Sequence, residues 1–326
     1  MRRRAFLAAA GGFAGATAAF GVRSAAVAQV DKWPEKPVRF IVPFAAGGAT
    51  DLVARPWAEK LGQAFGQQFV IENRGGASGM IGAEAAAKSA PDGYTFFFSS
   101  NTATVSLPLL RKIPYDARSF VPVGRMGDVM CGFVIHPAAG PKTFRDMIAH
   151  AKANPGKLAF GSSGPGTSPH LRLEMLKFKA GIDILHVPYR GGADSLTDLL
   201  GNNVQMMNEG STLPHVKAGK LILLNMNHSE RFAEFPDVPT LTELGYPGAD
   251  VPVWFALYGP AGTPAPIVER LNAKIVEISK SDDMRRRMHA VSAAPVVQTP
   301  QQMAEYWAND YKTIGDLIKA ANIRIE

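Results

Sequence analysis

Residues 38–55, VRFIVPFAAGGATDLVAR, limit the fold of this chain more than any other stretch. A largely apolar run ends at Phe44, a turn of Ala45, Ala46, Gly47 and Gly48 follows, and Thr50 and Asp51 open a helical pattern. That order is strand, glycine turn, helix. Glycines let the backbone approach a ligand closely, and the first N–H groups of the helix face whatever lies in front of them with the positive end of its dipole. An anion suits such a place. Thr50 is the expected N-cap, and Asp51 can pair with Arg55 one turn on. The loop has no lysine and no G-x-G-x-x-G, so it is neither a P-loop nor a dinucleotide fingerprint.

The unit recurs along the chain. Residues 69–72 lead through an Asn-Arg-Gly-Gly turn to a helix ending near Ala87, and a strand over 94–98 delivers Ser99, Ser100, Asn101 and Thr102 at its end. A strand over 131–135 is read as the first crossing into a second lobe. Residues 158–160 then feed the loop from Gly161 to His170, and 184–187 feed Pro188, Tyr189, Arg190, Gly191 and Gly192. A strand over 253–258 crosses back, and three helices over 266–279, 283–291 and 300–320 close the chain. The series predicts an α/β protein of two lobes, each a mostly parallel sheet flanked by helices, with a ligand cleft between them. Residues 29–132 and 252–326 form the expected first lobe, and 133–251 the second. Each glycine turn falls at the carboxyl end of a strand, where such sheets bind ligands.

Length and composition agree: 326 residues with 46% hydrophobic content can bury a large core, and 32 glycines with 24 prolines point to many short connections. The formal charge of +7 overstates the basic character of the working chain. Residues 1–28 read as an export leader, with a basic start, an apolar span and Ala26-Val27-Ala28 before the cut. Arg3-Arg4-Ala5-Phe6-Leu7 resembles a twin-arginine signal, a Sec signal being the alternative, and either leads to the periplasm. Without Arg2, Arg3, Arg4 and Arg23, 31 bases stand against 28 acids, so nucleic acid is not an expected partner. Cys131 is the one cysteine and sits in an apolar stretch, as a buried inert thiol does. The histidines lack metal-ligand spacing, and no cofactor is expected.

For binding chemistry, the loop over 45–51 and the loop over 162–170 would face one another across the cleft. Neutral amides and hydroxyls at helix starts hold a carboxylate without burying a lysine. His170 either caps its helix or touches the ligand; Tyr189 either stacks on the ligand or closes the hinge. For catalysis, Gly161-Ser162-Ser163-Gly164 fails the G-x-S-x-G pattern because Pro165 stands where glycine is needed. No enzymatic role is expected.

The motifs PFAAGGATDLVAR, ENRGGASGMIG, PDGYT, SSGPGTSPHL, HVPYRGGADSLTDLL, PHVKAGKL, PDVPTLTELGYPG and WFALYGPAGTP occur in this order. Together they resemble the extracytoplasmic receptors of tripartite tricarboxylate transporters, the Bug or TctC-like proteins, over nearly the whole chain after the leader. The resemblance implies a monomeric periplasmic binding protein of type II-like architecture that closes on a small organic acid and delivers it to a two-component membrane permease. It places ligand contacts at Ala46, Gly47, Gly48, Thr50, Asp51, Ser100 and Thr102 in the first lobe. In the second it places them at Ser163, Gly166, Thr167, His170 and Tyr189, with Asn208 in a loop that borders the ligand. That loop departs from the family: Met206-Met207-Asn208-Glu209-Gly210 stands where a phenylalanine and an aspartate are usual. Alternative readings are a secreted α/β hydrolase or esterase, and a ligand-sensing input for a membrane sensor kinase.

Overall fold

The computed structural model describes residues 32–325 apart from 229 and 297, so the export leader lies outside the described residues. The chain divides into two compact units, Met1–Glu35 and Lys36–Glu326. Of the first, residues 32–35 are described, a short stretch containing a cis Trp33–Pro34 peptide bond. The second unit carries two sheets and their helices.

The first sheet has six strands in the order β11-β4-β10-β3-β1-β2. They are β1 Val38–Val42, β2 Phe69–Asn73, β3 Thr95–Ser100, β4 Val121–Val129, β10 Trp254–Gly259 and β11 Ala293–Ala294. Strands β3 and β10 are buried at every residue, which is why they read as unbroken apolar runs instead of alternating ones. The second sheet has five strands in the order β7-β6-β8-β5-β9. These are β5 Val134–Ile135, β6 Ala159–Ser162, β7 Leu185–Pro188, β8 Met206–Met207 and β9 Ile222–Leu223.

Strand direction follows from how the chain crosses. In the first sheet β1, β2, β3 and β4 point one way while β10 and β11 oppose them; in the second, only β5 opposes the rest. The sheets are thus mostly parallel in direction but mixed in pairing. Strand β4 ends at the cleft, so the chain enters the second lobe from the cleft side, and β5 must run against strands whose carboxyl ends point there. The return through β9 imposes the same reversal on β10.

Residues 131–133 and 224–227 lie against each other. Phe133 N–H donates to Asn225 Oδ1 at 3.2 Å, Leu224 N–H to Phe133 O at 2.8 Å, and Asn227 N–H to Cys131 O at 2.8 Å. A Cβ on Gly132 would come within 1.7 Å of Asn225 O, so the approach of these backbones requires glycine.

Helix Ala49–Phe65 covers β1 and its neighbours with Val53, Trp57 and Leu61, spaced four apart on one buried stripe. Trp57 Nε1 donates to Met126 O of β4 at 2.8 Å, which satisfies the indole inside the core. Helix Pro300–Ala320 is held at its start by a capping box of Thr299 and Gln302. It carries buried Asp310, which accepts from Asn101 Nδ2 at 3.0 Å and from Trp254 Nε1 at 2.8 Å. Among the described residues, no helix is long and apolar enough to cross a membrane.

Candidate functional site

A cavity of about 40 Å³ lies where the carboxyl ends of β1, β3, β6 and β8 converge. Phe44, Gly48, Ala49, Thr50, Ser100 and Thr102 form its first-lobe wall. Ser163, Ser168, Arg172, Gly192, Asn208 and Glu209 form the second, and Val129, Val253 and Phe255 close it from the crossing strands. By the space one water needs, the volume admits only a few waters.

Three helix starts meet there: Ala49–Phe65, Ser168–Ala180 and Gly192–Leu200. None is capped by the side chain of its own N-cap residue, though Ser168 N–H of the second donates to Thr102 Oγ1 at 3.4 Å. The sequence places the first cap at Thr50; the structure places it at Gly48. The turn at Gly47, with φ of 81°, starts the helix two residues sooner and leaves a cap without a side chain. At the second helix Thr167 turns its hydroxyl back to Gly164 O at 2.7 Å. The first amides of Ala49–Phe65 and Gly192–Leu200 therefore remain available to a ligand, with the positive end of each dipole behind them.

Of the residues singled out from the sequence, Gly48, Thr50, Ser100, Thr102, Ser163 and Asn208 line this cavity together. The others stand behind the wall. Ala46 and Gly47 are exposed on the outside of the turn. Asp51 accepts from Gly47 N–H at 2.9 Å, from Arg55 at 2.8 and 2.9 Å and from Asn73 Nδ2 at 3.0 Å. Burial alone would raise its carboxyl; the bonds from Arg55, Gly47 and Asn73 outweigh that and hold it below its usual range. Asp51 thus fastens the glycine turn. Gly166 N–H donates to His170 Nδ1 at 3.0 Å, and the His170 ring stacks on His186 with centroids 4.0 Å apart. Burial lowers both imidazoles to about 4, so each is neutral near pH 7. The Tyr189 hydroxyl donates to Asp198 at 2.6 Å.

The expectation of purely neutral walls is corrected by two ionisable side chains. Arg172 is 2% exposed and donates from Nε to Val251 O at 2.8 Å and from Nη1 to Asn208 Oδ1 at 3.1 Å and Cys131 Sγ at 2.7 Å. Burial pushes the Cys131 thiol up, as the inert reading requires. Glu209 accepts from Ser163 Oγ at 2.7 Å. Its burial pushes the carboxyl up to about 7 against the opposing pull of Ser163 and Arg172. Sequence periodicity gives no warning of Arg172, since an arginine within a helical pattern normally reads as a solvated position.

Ser162 and His186 form a pair of the kind a hydrolase would use, with Oγ and Nε2 2.6 Å apart. Ser162 is fully buried, accepts from Gly164 N–H at 3.1 Å, and is not on the cavity wall. The pair pins the glycine loop beneath the helix start, and nothing in its placement presents a nucleophile to the cleft.

The model of the tripartite tricarboxylate transporter family receptors matches residues 53–323. Protein BugT of Bordetella pertussis (strain Tohama I) is 37% identical over 307 residues, covering 93% of this chain and 94% of its own. The structure of the periplasmic binding protein BugD superposes with a TM-score of 0.85 at 31% identity over 90% of this chain and 100% of that one. A structure of an R. palustris protein with adipate gives 0.86 at 32% identity over 90% and 99%.

Proposed function

Because the chain belongs to the tripartite tricarboxylate transporter receptor family, a family of periplasmic binding proteins, we propose that it captures a small organic acid in the periplasm. It hands that acid unchanged to a two-component membrane permease of the tripartite tricarboxylate type and works as a monomer without cofactor. The observation that carries this reading is the convergence of three helix starts from both lobes on one cavity. Adipate on the R. palustris relative supports an acid as cargo.

Gly48, Thr50, Ser100 and Thr102 are the proposed first-lobe contacts, with Ser163 and Asn208 in the second. Ala46, Gly47, Asp51, Gly166, Thr167, His170 and Tyr189 hold the loops that present them. Residues 29–132 with 252–326 move as one body and 133–251 as the other. Closure works by population shift, since only the closed state brings both walls to the ligand. Residues 1–28 direct export and are removed after Ala28.

A thermal-shift screen of the mature protein against mono-, di- and tricarboxylates and aromatic acids tests the reading. A ligand at a hundredfold its Kd stabilises the folded state by about 2.7 kcal/mol, a shift of several degrees. Silence from every acid, with shifts from sugars or amines, would end it.

A further inference from the structure

We propose that Glu209 selects the cargo: its buried carboxylate stands in the second-lobe wall, so the cargo offers that lobe a hydrogen-bond donor, an amide or ammonium, and not a second carboxylate. This inference rests on the acid-receptor reading above and narrows it.

The geometry is specific to this side chain. Oε1 of Glu209 accepts from Ser163, in the loop that opens helix Ser168–Ala180. A Cβ built on Gly192, the first residue of helix Gly192–Leu200, would fall 1.9 Å from Oε2 and 3.1 Å from Oε1. One carboxyl group therefore lies between the loop that precedes helix Ser168–Ala180 and the first residue of helix Gly192–Leu200, and above about pH 7 it is an anion.

Arg172 acts on Glu209 only at longer range: among the described residues no ion pair joins them, and the guanidinium donates to Val251 O, Asn208 and Cys131. A cargo carboxylate is left the first-lobe wall, where the start of helix Ala49–Phe65 and the hydroxyls of Thr50, Ser100 and Thr102 donate. A second carboxylate would meet Glu209 in a buried site, where like charges repel strongly and neither is hydrated. A donor at that end would instead meet a carboxylate acceptor, the stronger kind of hydrogen bond.

Calorimetric titration with matched probes at about pH 8, where Glu209 is ionised, tests the proposal. Each set, of four, five and six carbons, contains the dicarboxylate, its monoamide and the corresponding ω-amino acid. The wild type is expected to bind the monoamide or amino acid of at least one set at least tenfold more tightly than its dicarboxylate. Glu209→Gln keeps the shape, removes the charge, and is expected to move that ratio at least tenfold toward the dicarboxylate. A dicarboxylate binding the wild type as well as its partners overturns the proposal and leaves the acid-receptor reading standing. So does an unchanged ratio in a Glu209→Gln protein that melts cooperatively. Should that variant not fold, the wild-type ratio decides alone. Failure of all probes together with silence in the acid screen overturns both.

Discussion

The hydroxyl of Ser168 donates to Oδ1 of Asn101 at 3.2 Å, joining the second lobe to the first at the foot of the cleft. Thr102 Oγ1 lies 3.2 Å from Ser168 Oγ, and Asn101 is itself anchored to Asp310. All four residues are buried, so the link is shielded from water. It is a latch between two bodies, built from neutral groups that water can satisfy when they part.

Ser168→Ala removes the latch hydroxyl and leaves Asn101 Oδ1 short of a donor in the closed state alone. A buried bond of this kind contributes about 1–2 kcal/mol, so the acid that gives the largest thermal shift is expected to bind about tenfold more weakly. Calorimetry reads the affinity directly. An unchanged affinity would mean that the closed state does not depend on this contact.

The contact of residues 131–133 with 224–227 supplies a second test. In Gly132→Ala the added methyl would have to push Asn225 O aside, parting these two segments. The expected loss is about 3 kcal/mol or more, seen as a lower urea midpoint or failure to accumulate as folded protein. Gly181→Ala is the control: it ends helix Ser168–Ala180 with φ of 60° in open space, and its expected cost is about 1 kcal/mol. Equal losses from the two would remove the special role given to that contact.

The same features explain what the sequence reveals and what it hides. Strands β3 and β10 are buried at every residue and β1 at all but Arg39, and the glycine turns after β1 and β6 mark where the site lies. Strand β4 is hidden: Pro122, Gly124 and Gly127 break its pattern and make it read as a loop. Those glycines are there because Asn272 Nδ2 would lie 2.9 Å from a Cβ at Gly124 and Ala294 O 3.0 Å from one at Gly127. The crossing read at 131–135 is therefore preceded by nine residues of strand, and β5 keeps only Val134–Ile135. Glu209 drew notice only as an unusual loop residue. Its place against Gly192 depends on two segments that meet solely in the folded chain.

Protonation provides a third prediction. Between about pH 4.5 and 7 the folded chain keeps a proton on Glu209 that the unfolded chain has lost, so stability from this group falls as pH rises through that window. The groups facing it are the Ser163 hydroxyl, the Gly192 backbone and, at longer range, Arg172 and the Cys131 thiol. His170 and His186 act oppositely. Between about pH 6.5 and 4 the unfolded chain takes protons that these buried rings refuse, and stability is lost as pH falls. Glu209→Gln is expected to gain on the wild type by on the order of 2–3 kcal/mol between pH 5 and 7.5 in urea denaturation. Parallel pH profiles for the two proteins would contradict a buried, proton-holding Glu209.

The central claim is that a cavity between two lobes grips one organic acid with groups from its walls. Calorimetric titration of the acid with the largest thermal shift, into wild type and into Ser100→Ala, tests it most directly. Ser100 lines the first-lobe wall, and a hydrogen bond from a hydroxyl to a carboxylate contributes about 1.5–3 kcal/mol. The account predicts one acid per chain and at least a tenfold weaker Kd in the variant. An absence of binding heat across a series of temperatures, or a Kd indifferent to Ser100→Ala and equally to Thr50→Val, would contradict it.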